Sequence, residues 1–81
     1  MSVPTYHIYH NGMPFTYLVF GPYDMTYFDV EVYEGHVEYP VDGDLLDEYG
    51  DPVRPYIGTV SELTRDSHIV IDVWDWMDEN V

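Results

Sequence analysis

Residues 26–34 read TYFDVEVYE, Thr26 to Glu34, and this stretch decides the fold class. Phe28, Val30 and Val32 alternate with Asp29 and Glu31, and Tyr27 and Tyr33 flank the acids. A period of two puts the apolar set on one side and the acids on the other, as in a half-buried β-strand. Gly35 ends the pattern. Upstream, residues 4–10 (PTYHIYH) and 15–21 (FTYLVFG) flank Asn11-Gly12. Asn-Gly between two β-favouring runs signals a tight hairpin, because both turn positions need positive φ. Pro14, just after the turn, calls for a longer loop or an edge position. Gly21-Pro22-Tyr23-Asp24 marks a second turn.

Downstream, His36–Val41 reads as a short strand, with Val37, Tyr39 and Val41 on one face and Glu38 opposite. Residues 42–52 form an acidic loop in which Leu45 and Leu46 suit a single helical turn. Pro52 and Pro55 keep the next stretch extended. Thr59-x-x-Glu62 resembles a capping box and predicts a short helix ending near Asp66. Residues 67–77 (SHIVIDVWDWM) fit two patterns. As a strand, Ile69, Ile71, Val73 and Met77 share a face, with Asp75 the misfit. As a helix, Ile69, Val70, Val73, Trp74 and Met77 form a stripe. The β-branched run favours a strand through Val73, and residues 78–81 read as a frayed tail.

The chain is short enough to be one domain, 1–81. It has no Ala and no Gln, Leu only at Leu18, Leu45, Leu46 and Leu63, and nine Tyr. Strong helix formers are scarce and strand formers abundant. The expected fold is mainly β, or a β-rich α+β variant. It is an antiparallel meander of four to five strands, as a curled sheet or small barrel, with at most one or two short helical turns. Its inner face takes Ile8, Val19 or Leu18, Phe28, Val30, Val32, Ile69, Ile71 and Val73.

Charge sets the functional class. The chain carries 16 Asp and Glu against two basic residues, Arg54 and Arg65, for a net charge of −14. Area scaling leaves about one unpaired negative charge per 360 Å² of folded surface, so neighbouring carboxylates repel. Hydrophobic residues at 46% argue against a disordered acidic tail. Without Lys, direct binding to nucleic acid or to an anionic membrane is excluded. The absence of Cys excludes zinc ribbons and disulfide scaffolds. No apolar run is long enough to span a bilayer, and no signal peptide follows Met1. A cytoplasmic protein is expected.

No motif points to catalysis, and no enzyme is expected. Paired carboxylates occur everywhere by number, and none has an apolar setting that would separate two pKa values. Ser2, Ser61 and Ser67 lie in no nucleophile motif. The loop from Asp42 fails the EF-hand pattern: position 5 is Leu46, position 6 Asp47 and position 12 Val53. His7 and His10 fall on opposite strand faces. Zinc would need one of them joined in space by His36 or His68, which no spacing specifies; exposed strand histidines are the ordinary reading. No cofactor or metal is expected.

What remains is an acidic, aromatic surface. Asp29 and Glu31 on one strand face lie about 6.6 Å apart. Glu38 and Asp72 extend the row, and Asp42, Asp44, Asp47, Glu48, Asp51 and Asp75 widen the field. Tyr27, Tyr33, Trp74 and Trp76 supply rigid contact area beside them. The two tryptophans either anchor a partner or close the core, and if exposed they could build a homodimer. Carboxylates spaced on a rigid sheet offer a basic partner what a phosphate backbone offers. In size, charge and fold class the chain resembles small phage-encoded DNA mimics: glycosylase inhibitors, anti-restriction proteins and anti-CRISPR proteins. The resemblance implies a stoichiometric inhibitor of a host defence or repair protein, with a basic nucleic-acid-binding protein as partner. The alternative is an acidic interaction module or subunit, with its 10 Asp to 6 Glu reflecting a halophilic cytosol.

Overall fold

Asn11-Gly12 sets the first hairpin. In the computed structural model, which describes residues 3–39, 45–64 and 68–81, these two residues have φ of 51° and 80°, as a two-residue I′-type turn requires. β1 (Thr5–His10) pairs antiparallel with β2 (Met13–Tyr23), His10 opposite Met13. The turn therefore keeps its minimal length, and Pro14 sits on an inner strand. It is tolerated at the point where β3 gives out. The Pro14 carbonyl accepts the Gly35 N–H, and the Gly35 carbonyl accepts the Thr16 hydroxyl at 2.7 Å instead of a proline N–H.

The second turn lies beyond the Gly-Pro signal. Gly21 and Pro22 form an irregularity within β2, where the register to β3 (Tyr27–Glu34) shifts between Phe20 and Tyr23. The chain reverses at Asp24–Thr26, with Asp24 and Met25 both at positive φ. Thr26 N–H closes the turn on the Tyr23 carbonyl. β4 (Tyr56–Thr64) completes an antiparallel sheet of order β1-β2-β3-β4, curled and unclosed. The expected capping box is thus a strand. Its Glu62 has φ 63° and occupies a bulge, where Val60 and Leu63 face Val30 and Phe28.

Residues 36–39, expected as a strand, form none; they leave β3 and cross one face of the sheet. Pro40, Val41, Asp42 and Asp44 lie outside the described residues. Leu45 and Leu46 form no helical turn: Leu46 bridges Pro52, and the Asp47 carboxylate accepts the Tyr49 and Asp51 N–H groups at 2.9 Å. An acidic side chain closing its own turn in this way is a common loop device.

The C-terminal segment is a helix, α1 (Ile69–Asn80), and not the expected strand. The period explains it. Val73 and Met77 are fully buried, with Ile69 and Trp76 packed beside them, at spacings of three, four and seven that only a helix brings to one side. Asp75, which a strand would have turned inward, faces solvent. Val70 and Ile71 stay half-exposed. Their β-branches cost a few tenths of a kcal/mol in helix propensity, less than burying the stripe returns. Residues 78–80 form the last turn, and Val81 N–H caps it on the Met77 carbonyl.

The main core lies between α1 and the sheet face carrying Phe15, Tyr17, Val30, Val32 and Leu63. Gly58 on β4 exists for that contact: a Cβ there would sit 2.6 Å from the Trp76 ring. Among the described residues, no helix is long and apolar enough to cross a membrane.

Candidate functional site

Strand register decides what the acidic face of β3 becomes. Directly paired residues share a face, so Asp29, Glu31 and Tyr33 lie beside Phe20, Leu18 and Thr16 of β2. Asp29 and Glu31 therefore do share a face. It is not bare, however. Leu18, Thr16 and Tyr33 are 0%, 0% and 1% exposed. The strap of residues 35–39 lies over them. Val37 N–H bonds the Thr16 hydroxyl at 3.0 Å, and Tyr39 meets the edge of the Phe20 ring.

Tyr33 accordingly offers no contact area. Its hydroxyl donates to Glu31 Oε1 at 2.7 Å, and its ring meets Tyr56 edge-on. Burial first, then the hydrogen bond and charge of Glu31, push the Tyr33 phenol well above its ordinary value. Burial, followed by neighbouring Tyr6, raises Tyr17 as well. Tyr27 is half-buried and stacks obliquely on Tyr23. Of the acids expected on strand faces, Glu38 is exposed on the strap, and Asp72 is half-buried in the first turn of α1. Asp47, Glu48 and Asp51 are exposed in their loop.

The accessible rigid acids lie instead on the outer side of α1. Asp75, Asp78 and Glu79 face solvent there, beside Ile71 and Trp74, which are 53% and 41% exposed. The two tryptophans part company on a helix: Trp76 closes the core against Gly58, and Trp74 packs edge-on against His10 at 4.8 Å. His10 is itself buried, contrary to the exposed reading of the histidines, and its Nε2 lies 2.6 Å from Asp78 Oδ1. That bond clips the end of α1 to the β1–β2 hairpin. Arg54, the only basic Lys or Arg among the described residues, is paired with Glu34. The two line a cleft of about 260 Å³ with Met13, Phe15 and Ile57.

One cluster was not legible from spacing. The strap returns His36 and Glu38 to His7 on β1. The His7 and His36 rings stack with centroids 3.6 Å apart and 12° between planes. Both Nε2 atoms face Glu38 Oε1, at 3.6 Å and 3.0 Å. Sequence alone left open which histidines meet; His68 instead stands exposed before α1. Compared with protein-family models, with curated proteins and with solved structures, the chain matches none.

Proposed function

We propose that the protein is a non-catalytic, stoichiometric binding protein. Its acidic surface docks on the nucleic-acid-binding surface of a basic partner in the host cytoplasm, in the manner of a DNA mimic. A phage or mobile element countering host defence or repair would encode such an inhibitor. The outer face of α1 carries this reading. Asp75 and Glu79 are like charges one turn apart, which weakens a helix by about 0.2–0.5 kcal/mol. Asp78 and Glu79 sit at the C-terminal end, where the helix dipole disfavours anions by about 0.3–1 kcal/mol each. No basic residue occupies that last turn. Asp78 is used within the fold, as the partner of buried His10, whereas the charges of Asp75 and Glu79 work against the helix, so their use lies outside the fold. Trp74 and Ile71 among the acids supply the apolar anchor that interfaces favour.

The test separates stability from binding. Asp75→Lys together with Glu79→Lys should leave the fold intact, because both positions are exposed and Lys suits a helix near its C-terminal end. The same double variant should lose at least tenfold in capture of heparin-retained DNA-binding proteins from a bacterial lysate. Equal capture by parent and variant would remove this face from the binding surface. An acidic module without mimicry would show capture that duplex DNA reverses no better than another polyanion of equal charge.

A further inference from the structure

We propose that His7, His36 and Glu38 form a binding site for a divalent transition-metal ion of the zinc type, leaving one coordination position open. The argument starts from Thr16, which is fully buried. Its hydroxyl has one hydrogen, given to the Gly35 carbonyl at 2.7 Å. Its lone pairs accept the Val37 N–H at 3.0 Å and face His7 Nδ1 at 3.0 Å. With the hydroxyl hydrogen committed, His7 Nδ1 must be the donor. The neutral ring therefore carries its proton on Nδ1 and a lone pair on Nε2.

Glu38 Oε1 lies 3.6 Å from that nitrogen. Two electron-pair donors are close neighbours there, and a cation between them resolves the conflict. His36 Nε2 converges on the same oxygen at 3.0 Å. The three ligand atoms all lie within 4.8 Å of one another. A tetrahedral ion with bonds of 2.0–2.1 Å needs its ligands about 3.3 Å apart, and the two separations to Glu38 bracket that figure. The rings stack nearly parallel, so the exposed His36 ring must turn for both lone pairs to meet at one ion. Two imidazoles and one carboxylate suit zinc-type ions over calcium or magnesium, which prefer oxygen. The Thr16 bond to His7 is the outer-shell contact that fixes a ligating imidazole. A bound ion would tie the strap to β1, and the inference is independent of what α1 binds.

The test uses the full chain, stripped of metal, with Co²⁺ as a visible probe and Zn²⁺ as competitor. One Co²⁺ should bind per chain with the intense absorption of a four-coordinate site, displaced by Zn²⁺. His7→Ala and His36→Ala should each lower the affinity at least tenfold, as outer-shell losses alone cost about 10–100-fold. His68→Ala should leave it unchanged, and far-UV circular dichroism checks that each variant folds. Nitrogen-15 spectra of the imidazoles should place the metal-free His7 proton on Nδ1 and show Nε2 shifting on Zn²⁺ addition. Displacement of Co²⁺ by excess Ca²⁺, or equal binding by His36→Ala, would reduce the site to diffuse attraction by acidic surface. A His7 ring protonated on both nitrogens that binds no Co²⁺ would make the cation a proton and overturn the proposal.

Discussion

Thr16→Val tests how strap and sheet are joined. The replacement keeps size and shape and deletes one oxygen. That oxygen serves the Gly35 carbonyl, the Val37 N–H and His7 Nδ1, at 2.7, 3.0 and 3.0 Å. His7 can turn to water, as it is partly exposed. The two backbone groups are held near a fully buried side chain. Leaving a buried donor or acceptor unsatisfied costs about 1–3 kcal/mol each. With some water reaching the strap, the expected loss is about 2–4 kcal/mol. A domain of this length has about 4–12 kcal/mol in total, so the change is large. Thr16→Ser keeps the oxygen and loses a methyl, for about 1 kcal/mol. Urea unfolding followed by circular dichroism measures both, read at the midpoint with the slope checked for constancy. Equal midpoints for the Val and Ser variants would refute the assignment of Thr16 as the joint.

Gly58→Ala should destabilise by about 1–3 kcal/mol through overpacking, since the new methyl meets the Trp76 ring. This opposes the usual gain from Gly→Ala at permissive backbone, and a raised thermal midpoint would contradict it. Glu79→Lys alone should stabilise by about 0.5–1 kcal/mol, from the dipole and the relieved repulsion with Asp75. Thermal unfolding at low salt reads the sign, and a fall would argue against the helix end as drawn. Folding holds the Tyr33 and Tyr17 phenols protonated above their ordinary value of 10.0. The native state then binds more protons than the unfolded state above about pH 10. Their contribution is therefore complete below about pH 10 and fades as pH rises beyond it. Urea midpoints at about pH 9, 10 and 11 should decline, and a midpoint that climbs across that window would be inconsistent with these buried phenols.

The β-class was legible because Asn11-Gly12 and the alternation of residues 26–34 are local signals with one reading each. The second covered face was also written in the sequence, though not in β3. Residues 15–20 of β2 (FTYLVF) alternate nothing; a near-continuous apolar run marks a strand buried on both sides. Reading β3 alone left the acids on an open face. Residues 67–77 carry both periods at once. As a helix the segment buries Ile69, Val73, Trp76 and Met77 and leaves Asp75 in solvent, which outweighs β-branching. The strap could not be foreseen. His36 meets His7 across 29 positions through a buried threonine, and nothing local records that.

The claim that the acidic surface imitates nucleic acid is tested most directly by competition. Heparin-retained proteins captured on the immobilised chain would be challenged at constant ionic strength with duplex DNA or with polyglutamate of equal charge. The account predicts release by duplex DNA at concentrations at least tenfold below those of polyglutamate. Equal release by the two polyanions would contradict it, and would leave an acidic protein that attracts basic partners by charge alone.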